Sequence, residues 1–111
     1  MLNHMRSEFA VTIDGKELTG VLNLNAFRLL SQRFKVGLSE LDTWLGQNPL
    51  EALPALAYCG VINRAVREGV PGPGEFELFA ARFFDVEENI TAVSEGIENA
   101  FGPQDEDAGK E

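Results

Sequence analysis

A short alternating segment near the N-terminus, followed by Asp14-Gly15, limits the folds open to this chain. Phe9, Val11 and Ile13 share one side of an extended strand. Asp14-Gly15 tolerates the positive φ angles of a tight hairpin turn, and a second extended segment follows at 17–22. The pattern therefore predicts a two-stranded hairpin. Because an isolated hairpin is marginal in water, one of its faces must pack on apolar residues elsewhere in the chain.

The rest of the chain has helical periodicity. Phe27, Leu30 and Phe34 form a stripe on a first helix, and a short Leu-rich helix follows. The segment from Pro54 to Glu68 is apolar on most sides, which is typical of a central buried helix, and an interior proline predicts that this helix restarts at Pro54. Two further stripes predict the last two helices: Phe76, Phe79, Ala80, Phe83, then Val86, Ile90, Val93, Ile97, Phe101.

These elements predict an α+β fold that is mainly α. A β-hairpin at 8–22 packs on a bundle of four to five helices at 24–101, in one domain spanning 8–101. With 111 residues, of which 44% are apolar, such a domain can bury about two thirds of its surface. Residues 1–7 are predicted to be a flexible N-terminus. Gly102-Pro103 is predicted to end the last helix, which leaves 102–111 as a disordered acidic tail.

The net charge of −9 is unevenly distributed. Residues 1–84 carry nine acids and eight bases, whereas residues 85–111 carry nine acids and one base, Lys110. The body is therefore nearly neutral and the C-terminal end is acidic. This balance disfavours binding to nucleic acid or to an anionic membrane, since both require a cationic surface.

The remaining global signals favour a cytoplasmic protein. The single cysteine, Cys59, excludes an internal disulfide framework and fits a reducing compartment. No run approaches the ~20 apolar residues of a membrane span, and the first residues lack a signal-peptide core. Either Met1 or Met5 fits as the natural start.

No group of residues predicts an active site, a metal site or a cofactor. His4 lies outside any predicted packed element, and Cys59 lies on an apolar helix and is expected to be a small buried side chain. The Gly/Pro segment 69–74 lacks a Gly-Lys-Ser/Thr ending, and its prolines remove amide donors, so it is interpreted as a stiff linker. Four glutamates on the last helix are expected to be solvated: Glu87, Glu88, Glu95, Glu98. The chain is predicted not to be an enzyme.

Two features are candidates for partner binding. The first is a basic surface made by Arg28, Arg33 and Lys35, extended by Arg64 and Arg67, with a solvated helix face as the alternative. Such a surface would receive acidic groups of a partner or of the chain's own tail. The second is Phe84: because Phe83 and Phe84 are adjacent, both cannot point into one core, so one of them is a candidate to face a partner.

Four segments resemble the tail assembly chaperones of long-tailed bacteriophages and related prophage proteins. The similarity spans roughly residues 8–98 and is carried by these motifs: Phe9-Ala-Val-Thr-Ile-Asp-Gly-Lys-Glu-Leu18, Leu24-Asn-Ala-Phe-Arg-Leu-Leu30, Phe34-Lys-Val-Gly-Leu-Ser-Glu-Leu41 and Leu53-Pro-Ala-Leu-Ala-Tyr-Cys-Gly60.

The resemblance implies a non-enzymatic assembly factor of the bacterial host cytoplasm. Such proteins bind the tape measure protein and tail tube subunits during tail construction and are absent from the finished particle. Many also have a longer form made by ribosomal frameshifting. The charge balance predicts neither nucleic acid nor a membrane as a partner, and the sequence is compatible with a homo-oligomer.

Two other functions fit the same residues. One is a structural virion component, such as a small tail or connector subunit, which would form stable rings with large apolar interfaces. The other is a small acidic regulatory protein that uses residues 85–111 to occupy a basic cleft. Loss of binding on deletion of 102–111 would favour the regulator.

Overall fold

The computed structural model describes the backbone of residues 7–110 and the side chains of residues 7–100. Within that part of the chain, a two-stranded antiparallel hairpin packs on five α-helices, which confirms the predicted α+β, mainly helical fold. A short 3₁₀ helix at Leu38–Glu40 precedes the second α-helix. The elements are β1 (Ser7–Ile13), β2 (Lys16–Leu22), α1 (Leu24–Phe34), α2 (Leu41–Gln47), α3 (Pro49–Glu68), α4 (Phe76–Phe83) and α5 (Glu88–Lys110).

The hairpin has the predicted turn and the predicted buried side. Asp14 and Gly15 have φ angles of 56° and 80°, as a two-residue type I′ turn requires, and Ile13 pairs with Lys16. Phe9, Val11 and Ile13 are buried. One boundary differs, because Ser7 was predicted to belong to the flexible N-terminus. Ser7 instead pairs with Leu22 and is buried, so β1 begins there; residues 1–6 lie outside the described residues.

The long helix α3 forms the centre of the fold, as its apolar sequence predicts. It packs against β2, α1, α4, α2 and α5. Every residue from Pro54 to Val61 is buried, including Cys59 and Gly60. A helix surrounded by other elements on most sides has little polar surface, which explains why its charged residues lie near its two ends: Glu51 in the first turn, then Arg64, Arg67 and Glu68.

The predicted restart at Pro54 is wrong, since α3 continues through this residue. A proline in a helix lacks the N–H that would bond the carbonyl four residues earlier, here Leu50. Leu50 lies in the first turn of α3 and is 73% exposed. Water can therefore reach the carbonyl at this end of the helix, and the chain does not need to break.

The predicted end of the last helix is also corrected. The backbone of α5 passes Gly102-Pro103 and continues to Lys110. Pro103 removes one amide donor, but the residues that follow it can still donate to carbonyls four positions earlier. The acidic side chains of the predicted tail at 102–111 lie outside the described residues.

The ring of Phe9 lies where three elements meet at glycines. A Cβ at Gly60 would lie 2.7 Å from Phe9 Cε2, and one at Gly20 would overlap the Phe9 ring and lie 2.9 Å from the Gly60 carbonyl carbon. A Cβ at Gly96 would be in ordinary contact, 3.5 Å from Phe9 Cδ2. The absence of side chains at Gly20 and Gly60 therefore allows β2 to approach α3 closely around this ring.

Two buried asparagines join the hairpin to the helices. Asn63, on α3, donates from Nδ2 to the Val21 carbonyl at 3.0 Å and to Asn23 Oδ1 at 2.9 Å, and accepts from Asn25 at 2.8 Å. Asn89, in the first turn of α5, accepts from the Thr12 N–H at 2.8 Å. Its Nδ2 donates to the carbonyls of Thr12 and Phe83, both at 2.9 Å. Each amide therefore supplies the hydrogen bonds that an edge of a two-stranded sheet lacks.

Candidate interaction surfaces

The predicted basic residues lie on two neighbouring helices. Arg28 and Arg33 are on α1, Lys35 directly follows it, and Arg64 and Arg67 are on the last turns of α3. The helices run antiparallel, since Asn25 at the start of α1 bonds Asn63 while the Arg33 guanidinium lies 5.8 Å from the centre of the Tyr58 ring. The five cations therefore lie on, or directly after, two helices that pack against each other.

Four of these cations already have a partner within the chain. Arg28 Nε donates to Asn25 Oδ1 at 2.8 Å, and Lys35 Nζ donates to the Gln32 carbonyl at 3.3 Å. Arg33 makes the cation–π contact with Tyr58, and Arg64 pairs with Glu68 at 2.9 Å. Among the described residues, no hydrogen bond or ion pair links two of the five cations to one common acid.

Lys35 also ends α1 as its C-terminal cap. It has a left-handed φ of 61°, and its N–H donates to the Ser31 carbonyl at 2.9 Å. A non-glycine residue tolerates this conformation at a cost of roughly 1 kcal/mol. The position of the Lys35 ammonium is thus set by a helix cap as well as by its charge.

Phe83 and Phe84 occupy different environments, as their adjacency requires. Phe83 is fully buried, whereas Phe84 is half-buried. The two rings meet edge to face with centroids 4.9 Å apart. One side of Phe84 therefore packs on the core through Phe83, and the other side remains at the surface.

Sequence reasoning did not find an apolar groove between α2, α3 and α5. It consists of two adjoining hollows, with volumes of about 350 and 290 Å³, that share Leu45 and Ile97. Their other lining residues are mainly apolar: Leu38, Ser39, Leu41, Asp42 in one hollow and Pro49, Leu53, Ser94 in the other. Leu38 is 51% exposed at this site. The residues that line the groove come from four separate parts of the chain, so no local sequence motif predicts the groove.

The groove has an acidic surrounding. The segments that line it are the 3₁₀ helix with α2, the part of α3 before Arg64, and the described side chains of α5. Together, residues 38–47, 49–63 and 88–100 contain six acids and no lysine or arginine: Glu40, Asp42, Glu51, Glu88, Glu95, Glu98. Asp42 lines the groove directly. These segments are thus opposite in charge to the cations of α1 and of the end of α3.

Cys59 is buried, as predicted, and its chemistry is that of an inaccessible thiol. Burial raises the pKa of the Cys59 thiol from 9.0 to about 12, and the Arg33 guanidinium opposes only part of this shift. The thiolate, which is the reactive form, is therefore strongly disfavoured in the folded protein at neutral pH.

We expect folded protein at pH 8 to react with a thiol-specific disulfide reagent at least ~100-fold more slowly than protein unfolded in urea. The pKa of the Cys59 thiol is higher in the folded protein than in the unfolded one. Its contribution to the free energy of unfolding is therefore complete below pH 9 and is lost as the pH rises toward about 12. Absorbance of the released reagent measures the labelling rate. Equally fast labelling of the folded and unfolded protein would contradict the buried placement.

The described residues contain neither a metal-ion cluster nor a membrane-spanning helix. Residues 7–100 contain no cluster of three or more His, Cys, Asp or Glu side chains arranged to hold a metal ion. In the same part of the chain, no helix combines the length and the apolar character needed to cross a membrane. Comparison with family models, with curated proteins and with solved structures found no match to this chain.

Proposed function

We propose that this protein is a non-enzymatic assembly chaperone of a phage or prophage tail. It binds the tape measure protein, tail tube subunits, or both while the tail is built. The proposal is supported by the resemblance of residues 8–98 to that family and by the apolar groove between α2, α3 and α5. The groove is the observation that carries it, because it is the kind of surface that a binding protein needs.

The groove supports binding because it leaves apolar side chains in contact with water. Each Å² of such surface covered by a partner is worth about 25 cal/mol before the costs of association. Leu38 contributes an exposed side chain at one end, while Leu45, Leu53 and Ile97 are partly buried and form a continuous apolar lining. A client helix that places apolar residues here would be shielded from aggregation until it assembles.

Co-purification tests this function directly. The tagged chain is co-expressed with the tape measure protein and the tail tube protein of the same phage or prophage genome. We expect at least one of them to be captured. Leu38→Asp should lower the captured amount about tenfold, because a carboxylate would be desolvated at the groove.

Leu78→Asp is the matched control, since Leu78 is 56% exposed, is on α4 and does not line the groove. It should capture the client normally. Mass spectrometry of purified tails separates this function from a structural one: a chaperone is absent from them, whereas the chain at stoichiometric amounts would show that it is a tail or connector component. If capture survives Leu38→Asp but is lost on charge reversal at Arg28 and Arg33, the client binds the basic residues of α1 and not the groove.

A further inference from the structure

We infer that the apolar groove receives a helix of a partner protein that has an apolar stripe flanked by lysine and arginine. This inference rests on the proposed function, in that it takes the groove as the client site, and it adds the chemistry of the segment that is recognised.

The shape fits successive side chains of one helix better than a single compact ligand. Each hollow is near or below the lower limit of about 300 Å³ that small-molecule pockets reach. The two hollows adjoin through Leu45 and Ile97 and together form an elongated apolar site between three helices. Helices that bind such grooves insert apolar residues spaced three and four apart, one after another.

The charge determines what should flank the apolar stripe. Asp42 lines the groove, and the segments that line it carry five more acids without a base. Lys35 precedes the lining residue Leu38 by three residues, but its Nζ donates to the Gln32 carbonyl at 3.3 Å. The nearest cation in sequence on α3, Arg64, is eleven residues after Leu53, or roughly 16 Å along the helix. That separation exceeds the Debye length of about 8 Å at physiological ionic strength, so Arg64 does little to offset the acids. Lysine or arginine beside the stripe would therefore be favoured, and acids would be repelled.

The same charge argues against the chain's own segments as occupants. Residues 102–111 contain four acids and one lysine, so this tail would bring like charge to the groove. A second copy offers its cations on α1, but the apolar residues of that helix face inward: Ala26, Phe27 and Leu30 are buried. Leu24, at 64%, is the exposed large apolar side chain of α1, and Val66, at 72%, is the one beside the cations at the end of α3. A single apolar residue on each helix is not a stripe, so the observations favour a different protein.

The test uses the full chain and three synthetic helical peptides of about 18 residues. All three have the same leucine stripe at helical spacing and differ only in the flanking residues, which are lysine, glutamine or glutamate. Fluorescence anisotropy measures each affinity at ~0.05 M and ~0.5 M salt. We expect the lysine peptide to bind at least tenfold more tightly than the glutamate peptide at low salt, with the glutamine peptide between them. Higher salt should shrink this difference, since it screens charges and leaves apolar contacts in place.

Variants assign the two parts of the interaction. Leu38→Asp should weaken binding of the glutamine peptide about tenfold, while Leu78→Asp should not. Asp42→Asn should weaken the lysine peptide two- to fivefold and leave the glutamine peptide unchanged. Glu77→Gln is its matched control, because Glu77 is also an exposed acid in the first turn of a short helix but does not line the groove.

Several results would overturn the inference. They are equal binding of the lysine and glutamate peptides, binding of none of the three, and binding that Leu38→Asp leaves intact. Self-association by sedimentation that Leu38→Asp abolishes would show that a second copy occupies the groove. Failure of the proposed function is distinguishable: if the lysine peptide binds as expected but neither tail protein is captured on co-expression, the groove chemistry holds and the client belongs to another system.

Discussion

Gly20→Ala should lower the free energy of unfolding by about 3 kcal/mol, and Gly60→Ala by about 2 kcal/mol. A methyl group at Gly20 would overlap the Phe9 ring and lie 2.9 Å from the backbone carbonyl carbon of Gly60. At Gly60 the methyl would meet Phe9 Cε2 at 2.7 Å and Cζ at 2.8 Å, with Leu22 Cδ2 at 3.4 Å. Urea denaturation followed by circular dichroism measures the loss as a lower midpoint with an unchanged slope.

The two variants should differ in how far Phe9→Leu rescues them. The Gly60 methyl collides mainly with a side chain, so shortening Phe9 relieves most of the overlap. The Gly20 methyl also approaches backbone, which a smaller residue at position 9 does not move. Two double-mutant cycles measure this difference. The favourable coupling free energy between Phe9→Leu and Gly60→Ala should be larger than that between Phe9→Leu and Gly20→Ala.

Gly46→Ala provides the control for both. Gly46 is inside α2, and a Cβ there would meet nothing within 4 Å, so alanine should stabilise the helix by about 0.5–1 kcal/mol. If Gly20→Ala were as stable as the unchanged protein, the close approach of β2 to α3 would be wrong.

Local patterns predicted the parts of this fold that depend on nearby residues. Alternation before Asp14-Gly15 predicted both the turn and the buried face of the hairpin, because a two-residue period and a positive-φ turn are local properties. The apolar run after Pro54 predicted the central helix for the same reason. The break at Pro54 was predicted wrongly. A helix tolerates a proline where water reaches the carbonyl that the proline leaves unbonded, here that of Leu50, and the sequence does not show which carbonyls water reaches.

The candidate surfaces were harder to predict because they depend on which elements meet. The groove brings Leu38, Leu53 and Ile97 together from distant parts of the sequence. The helical pattern placed the basic residues on neighbouring parts of the chain, but the bonds of Arg28 to Asn25 and of Arg64 to Glu68 depend on side-chain geometry. The glycines at positions 20 and 60 are single residues whose importance lies in the ring of Phe9 between them.

Asn89→Ala should lower the free energy of unfolding by about 2–3 kcal/mol, because it removes three hydrogen bonds at one buried site. Asn89 is 2% exposed, and its loss would leave the Thr12 N–H, the Thr12 carbonyl and the Phe83 carbonyl without this partner. The bond to Phe83 is the most deeply buried of the three. Asn99→Ala is the control, since Asn99 is an exposed asparagine on the same helix and should change stability by less than ~0.5 kcal/mol.

Amide hydrogen exchange locates the effect. The Thr12 N–H makes no hydrogen bond to β2. Thr12 pairs with Glu17 at a position where, in this two-residue hairpin, the N–H points away from the partner strand. Asn89 is its partner, so exchange at Thr12 should accelerate far more in Asn89→Ala than the loss of global stability requires. Exchange that rises equally at Thr12 and at Val11 would indicate general unfolding and contradict a local bond.

Asn89→Asp separates the hydrogen bonds from the packing, since the two side chains have nearly the same shape. An ionised carboxylate still accepts from the Thr12 N–H, but it cannot donate to the two carbonyls and would face their oxygens. Burial raises the pKa of the introduced carboxyl above the unfolded value of about 3.9. Stability is therefore retained at low pH, where a proton restores one donor, and is lost as the pH rises through the folded pKa. We expect Asn89→Asp to have a lower free energy of unfolding than Asn89→Ala at pH 7, and the difference to shrink as the pH falls toward 4. Parallel pH profiles of the two variants would show that Asn89 acts through its volume and not through its amide.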